Sequence, residues 1–254
     1  MADATDGFSD DDLLRYSRQV MLPGFDIAGQ ETLRDAHVVV IGAGGLGSPV
    51  CLYLAAAGVG HLTVIDHDTV DLSNLQRQVA HRAQDIGREK AQSAADAMRA
   101  INPGVRVDAV VAAADEGLLA LLLRDAACVV DCCDNFATRA AVNRACHAAR
   151  VPLVSGAAIR MEGQLAVFDF RREAAPCYAC LYGADGGDDT TCARNGVMAP
   201  LVGVIGSLQA LAAIRVITGY GESTHGKLQV FDGMRNEWRT LRISPDPACP
   251  TCAR

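Results

Sequence analysis

The run Val38-Val39-Val40-Ile41-Gly42-Ala43-Gly44-Gly45-Leu46-Gly47, followed by Asp66, constrains this chain more than any other feature. An apolar strand that enters a glycine turn predicts the strand–turn–helix unit of a Rossmann-like α/β fold. Gly42, Gly44 and Gly47 let the backbone turn tightly and approach a phosphate. The N–H groups that open the next helix face the anion, and an acid ending the second strand accepts from a ribose hydroxyl. The pattern predicts a nucleotide without choosing one. Alone it fits NAD or FAD, so any other ligand needs support from the rest of the chain.

From His37 onward, strands and helices alternate. Strands are expected at 37–41, 61–66, 105–111, 127–131 and 152–155, with helices at 48–57, 88–101, 115–124 and 136–149. Successive βα units call for a doubly wound parallel sheet covered on both faces. Residues 9–34 read as helical, with Ser9 as N-cap. After Ser155 the apolar period becomes two around Gly163 to Phe170, and again over 227–232 and 238–243, so antiparallel strands are expected to continue the same sheet. The predicted organisation is a single domain over 1–254: a helical arm at 1–36, a nucleotide-binding half at 37–156 and a second half at 157–254. Between Gly183 and Thr191 lie mostly glycine and aspartate, which predicts a mobile crossover loop.

The net charge is -7 and no block of lysine or arginine occurs, which argues against nucleic acid or an anionic membrane as the main partner. An acidic N-terminus without an apolar core gives the expectation of a cytoplasmic protein. Val197 to Ile214 carries no charge, yet Pro200, Gly203, Gly206, Ser207 and Gln209 mark it as a buried helix rather than a membrane span.

Ten cysteines without an export signal are not expected to form disulfides. Cys51, Cys128, Cys132, Cys133 and Cys146 sit in apolar patterns and read as small core residues. Cys177-x2-Cys180 and Cys249-x2-Cys252 have the spacing of a tetrahedral four-thiolate Zn2+ site of structural type, with a redox disulfide pair as the plainer competitor. Cys192, beside Arg194, reads either as a nucleophile of lowered pKa or as an inert loop thiol.

The segment after Asp66 is too polar for a strand and carries Ser73-Asn74-Leu75-Gln76-Arg77. Lys90 opens the next helix, and Asp131-Cys132-Cys133-Asp134-Asn135 ends the fourth strand, at the carboxyl edge where open α/β sheets place ligands. Arginine and lysine can neutralise a leaving pyrophosphate, and an aspartate can hold Mg2+. The plain alternatives are solvated surface charges for Arg77 and Lys90 and a helix N-cap before Phe136 for Asp134.

Arg15 to Gln19, Gly42 to Gly47, Ser73 to Arg77, Asp131 to Asn135, Val154 to Gln164 and Gly196 to Leu201 together resemble the ubiquitin-activating-like adenylyltransferases, the HesA/MoeB/ThiF family. The resemblance runs from about Leu13 to Cys252, nearest to molybdopterin-type members, with thiamine-type members next. It implies ATP-dependent adenylation of the C-terminal Gly-Gly carboxylate of a ubiquitin-fold sulfur-carrier protein, with release of pyrophosphate.

Carried over by position, Gly42, Gly44, Gly45, Gly47, Asp66, Ser73, Asn74, Leu75, Gln76, Arg77, Lys90, Asp134 and Asn135 bind ATP, with Asp66 on the ribose and Asp134 on Mg2+. Asn74, Arg77 and Lys90 contact the phosphates. Arg18 reaches them from the second subunit of a homodimer, and Cys192 takes the place of the family's loop cysteine. Residues 157–254 then become the carrier-binding and zinc half. The chain stops soon after Cys252, so a separate sulfur donor is expected in place of a fused rhodanese domain. The crossover loop is expected to close over the carrier tail. Two other classes share the glycine turn: an NAD-dependent oxidoreductase, and a zinc-stabilised nucleotide-binding scaffold without catalysis.

Overall fold

The computed structural model describes residues 7–183 and 196–253; Cys192 and the crossover loop from residue 184 lie outside the described residues. Helix α1 (Asp10–Val20) opens on the predicted Ser9 cap. The Asp12 N–H donates to Ser9 Oγ at 3.2 Å, the Ser9 N–H donates to Asp12 Oδ2 at 3.2 Å, and three aspartates face the helix N-terminus. The expected single helix over 9–34 is two. Pro23 and Gly24, at φ 84°, stop α1 and redirect the chain into α2 (Asp26–Arg34).

Strand β1 (His37–Ile41) is buried along its whole length and leads through the glycine turn into α3 (Gly47–Ala57). The chain continues through β2 (His61–Ile65), α4 (Lys90–Ile101), β3 (Arg106–Val110), α5 (Glu116–Leu122), β4 (Cys128–Asp131), α6 (Phe136–Ala149), β5 (Leu153–Ile159) and β6 (Glu162–Phe168). A short α7 (Tyr178–Tyr182), the long α8 (Ala199–Thr218), β7 (Lys227–Asp232) and β8 (Glu237–Arg242) complete the described elements.

The strands form one sheet in the order β3-β2-β1-β4-β5-β6-β7-β8. Pairings from β3 through β5 are parallel, and those from β5 through β8 are antiparallel. This is the predicted Rossmann-like half continued by antiparallel strands. β1 is central, with Val38 beside Leu62 of β2 and beside Cys128 of β4. The order reverses between β1 and β4, which opens a crevice at their carboxyl ends.

Two apolar layers cover the sheet. On one face Val50, Leu54, Met98 and Ile205 from α3, α4 and α8 are fully buried; on the other, Leu119, Val142 and Phe168 pack with Cys177 and Cys249. Each such large side chain contributes about 1.5–3 kcal/mol by leaving water. Helix α8 is long and apolar enough to cross a membrane, but it packs on α3 and on β4, β5 and β6, as a core helix does. Gly206 permits that packing, because a Cβ there would lie 2.4 Å from the Leu46 carbonyl oxygen. The five apolar-pattern cysteines are buried and unbridged, and burial pushes Cys51 and Cys128 up to about 12.

The helical arm is tied to α3. Gln19 and Gln30 each donate through Nε2 to the Ala57 carbonyl at 2.9 Å, and Asn102 Nδ2 donates to Ala55 O and Tyr16 Oη, both at 2.8 Å. The Ala57 carbonyl is one that a helix C-terminus leaves without an intrahelical donor, and Ala55 O gains a second donor beside the Gly58 N–H.

Candidate active site

The carboxyl ends of β1, β2, β4 and β5 border a cavity of about 580 Å³. Its lining includes Gly42, Gly44, Gly45, Asp66, Gln76, Arg77, Lys90, Asp134 and Asn135, nine of the predicted nucleotide-site residues. Gly47, Ser73, Asn74 and Leu75 are not among the lining residues. Gly47 makes the turn possible, since a Cβ there would sit 1.9 Å from the Gly42 carbonyl oxygen, and Gly42 itself has φ 93°. Gly45 faces Val202 of α8 at the distance a Cβ would crowd, so the turn is clamped between sheet and helix.

Asp66 is fixed before any ligand arrives. Its Oδ2 accepts the Ala43 N–H at 2.7 Å and its Oδ1 accepts the Asp68 N–H at 2.8 Å. Each oxygen keeps a further lone pair for a ribose hydroxyl. Lys90 is 6% exposed, which overturns the solvated-charge alternative; its Nζ donates to Asp68 Oδ2 at 2.8 Å. That hydrogen bond holds the Asp68 carboxyl below its ordinary range.

Arg77 is half-buried and donates from Nη1 to the Ser73 carbonyl at 3.1 Å, which rests it on the 3-10 turn Leu72–Asn74. In that turn Asp71 accepts the Ser73 N–H and Asn74 Oδ1 accepts the Asp71 N–H. The N-cap alternative for Asp134 is also overturned. Asn135 caps α6, accepting the Thr138 N–H at 2.9 Å, which leaves Asp134 exposed on the cavity wall. His67 is exposed, with its Nε2 3.7 Å from Asp68 Oδ1.

Arg18 is not in this cavity. It lines a separate groove of about 320 Å³ with Gln19, Tyr53, Ser207 and Leu211.

Three buried side chains that the sequence reading did not select hold the cavity in shape. Arg139 donates to Asp131 Oδ2 at 3.1 Å, Ser155 Oγ at 3.2 Å and the Gly156 carbonyl at 2.8 Å, and also to the Cys133 carbonyl. Burial opposes its charge, but the Asp131 carboxylate outweighs this and holds the guanidinium charged. Gln209 Nε2 donates to the Asp131 carbonyl at 2.7 Å, and a Cβ on Gly156 would meet its side chain at 2.3 Å. His81 bridges the Ala43 carbonyl and Ser93 Oγ, each at 2.9 Å. One available sign for Arg139 is its place four residues after the Asn135 cap, on the turn of α6 nearest the sheet.

On the far side, Cys177, Cys180, Cys249 and Cys252 come together, with sulfurs 3.5 Å apart for Cys177–Cys249 and 3.3 Å for Cys180–Cys252. A tetrahedral ion with bonds of about 2.3 Å needs thiolates roughly 3.8 Å apart, so the donor set fits a metal. Burial alone would raise the Cys249 thiol, but N–H groups of Cys252 and Thr251 and the neighbouring thiols bring it down, which favours the thiolate a metal needs.

The ThiF family model matches residues 16–251. The chain belongs to the ThiF family. It is 49% identical over 246 residues to the molybdopterin-synthase adenylyltransferase of Escherichia coli, covering 97% of this chain and 98% of that one. It is 41% identical to the sulfur carrier protein ThiS adenylyltransferase of E. coli, covering 96% of both chains. Among solved structures, E. coli MccB with ATP superposes with a TM-score of 0.82 at 24% identity, over 94% of this chain and 73% of that one, which shows a shared fold. For a ThiF family member, an oxidoreductase is no longer a competing class.

Proposed function

We propose that this chain uses ATP to adenylate the C-terminal Gly-Gly carboxylate of a ubiquitin-fold sulfur-carrier protein of the molybdopterin-synthase small-subunit type, releasing pyrophosphate, in molybdenum cofactor biosynthesis. The observation that carries this reading is end-to-end likeness to the molybdopterin-synthase adenylyltransferase, joined to a cavity that brings Arg77, Lys90 and Asp134 around the glycine turn.

A carrier carboxylate oxygen attacks the α-phosphorus of ATP. The bond from that phosphorus to the bridging oxygen breaks, and pyrophosphate leaves with the electron pair. A carboxylate is already ionised at neutral pH, so no general base is required, and the rate comes from alignment and charge neutralisation. Gly42, Gly44 and Gly45 give the phosphates close approach, Asp66 holds the ribose, and Arg77 and Lys90 neutralise the leaving group, with Asn74 bracing Arg77. Lys90 must exchange Asp68 for phosphate, a switch between two anions within reach of one Nζ. Asp134 is exposed on the wall and offers hard oxygen donors, which suits Mg2+; the ion would supply charge neutralisation on the phosphates. Residues 37–156 would then form the nucleotide half and 157–254 the carrier and zinc half of one unit.

The four-cysteine cluster is read as a structural Zn2+ site, with Cys177, Cys180, Cys249 and Cys252 as its four donors. A homodimer is part of the same reading. Arg18 lies outside its own cavity, and Leu14, Met21, Tyr53 and Leu211 leave apolar surface exposed near its groove, as a composite site would require. A separate sulfur donor belongs to the same reading; Cys132 and Cys133, which line the cavity, are buried with their thiols pushed far up by desolvation and are poor nucleophiles. A cytoplasmic location accords with reduced cysteines and with ATP as co-substrate. Likeness to the ThiS adenylyltransferase supports a second reading, a thiamine-pathway carrier.

Mass spectrometry with ATP, Mg2+ and each carrier separates the two. An adenylate on the molybdopterin-type carrier and none on the thiamine-type carrier is the expected result. No adenylate on any Gly-Gly carrier, with no ATP–pyrophosphate exchange, would overturn the proposal.

A further inference from the structure

We infer that His81 is a positioning residue for the nucleotide: its buried imidazole sets the Ala43–Gly44 peptide of the glycine turn and couples it to the helix that carries Lys90. The inference rests on the adenylation reading above. His81 is 6% exposed, between the polar segment that follows β2 and helix α4. Its Nε2 is 2.9 Å from the Ala43 carbonyl oxygen, which can only accept, so Nε2 carries the hydrogen. Its Nδ1 is 2.9 Å from Ser93 Oγ, in the first turn of α4.

One continuous path results. Asp66 Oδ2 accepts the Ala43 N–H, the Ala43 carbonyl accepts from His81, and His81 meets Ser93, one turn from Lys90. A peptide unit is planar and trans, so its C=O and N–H point in opposite directions. Holding the Ala43 carbonyl on His81 therefore turns the Gly44 N–H to the other side, and Gly44 lines the cavity. Burial lowers the His81 pKa, in keeping with a neutral ring that has one donor and one acceptor. Without the imidazole, the turn would lose the contact that orients its anion-facing N–H before ATP arrives, and Asp66 would lose part of its fixed partner.

The expected loss falls on ATP binding rather than on the carrier or the chemical step, because the turn contacts ATP in the ground state and the transition state alike. In the full-length protein with Mg2+ and a Gly-Gly carrier, His81→Phe should raise the ATP Kd and KM about tenfold, with kcat and carrier KM within about twofold of wild type. His81→Gln keeps an N–H near the position of Nε2 and should recover most of the ATP affinity. A purely structural role would lower the melting temperature of both variants and leave the ATP KM of the folded fraction unchanged.

Folded His81→Phe with wild-type ATP affinity overturns the inference, as does an equal rise in carrier KM. Should His81→Phe fail to fold, Ser93→Ala reads the other end of the path. An ATP KM raised about threefold supports the inference, and an unchanged value overturns it. A wild-type protein that binds no ATP overturns the adenylation reading as well; one that binds ATP as tightly as His81→Phe overturns this inference alone.

Discussion

At the scale of single residues, the charges that border the cavity are held by hydrogen bonds to their neighbours, Lys90 by Asp68 and Asp66 by the Ala43 and Asp68 N–H groups. Lys90→Ala should reduce adenylation by about 100-fold to 1,000-fold, as removal of one preorganised charge does elsewhere, while the protein stays folded. Steady-state pyrophosphate exchange beside a thermal melt checks this, and undiminished exchange would remove Lys90 from the chemistry. The glycines divide between two jobs that one substitution can separate. Gly47→Ala places a methyl on the Gly42 carbonyl and should cost both stability and activity. Gly44→Ala meets only the end of the Gln78 side chain, at 3.5 Å, and should weaken ATP binding while leaving the melting temperature within a few degrees of wild type.

At the scale of elements, much of the architecture was legible because its causes are local. The alternation of apolar strands with amphipathic helices, the Ser9 cap and the C-x2-C spacing are short-range patterns, and β1, α6 and β7 occupy the predicted residues. What was not legible depends on partners far along the chain. His81 acts through Ala43, 38 positions earlier, and Gln209 through Asp131, 78 positions earlier. A glutamine in an apolar helix gives no sign of the carbonyl it will meet. The break of the arm at Pro23-Gly24 was visible, but helical periodicity on both sides concealed it. The cysteine cluster clasps α7 to the tail after β8, so the structural-zinc proposal expects one zinc per chain and a lower melting temperature on Cys249→Ser or treatment with a strong chelator. Elemental analysis that finds no zinc in the wild type would refute the site.

At the scale of the whole molecule, pH and assembly become readable. His37, His81 and His225 all have lowered pKa values, with burial as the largest cause. An unfolded histidine takes up its proton near pH 6.5, so these groups contribute stability above that pH and lose it as pH falls toward their folded values. The melting temperature should therefore decline between pH 7 and pH 5, before the carboxylates titrate; a flat profile across that range would contradict the burial. If Arg18 serves the partner's cavity, mixing inactive Arg18→Ala with inactive Asp134→Asn should restore part of the activity, since exchange of subunits yields one site with both residues intact. Persistent inactivity in a mixture shown to exchange subunits would place Arg18 elsewhere.

The sheet also carries a timetable. The β5–β6 and β7–β8 pairs turn within a few residues, at Ile159↔Glu162 and Asp232↔Glu237, whereas β1 must wait for β4, whose Cys128 meets Val38 across 90 positions of chain. Closure entropy makes distant pairings slow and adjacent ones fast. During refolding, amide protection should appear first in the two hairpins and last along the β1–β4 pairing, so the crevice between those strands is the final part of the sheet to come into being.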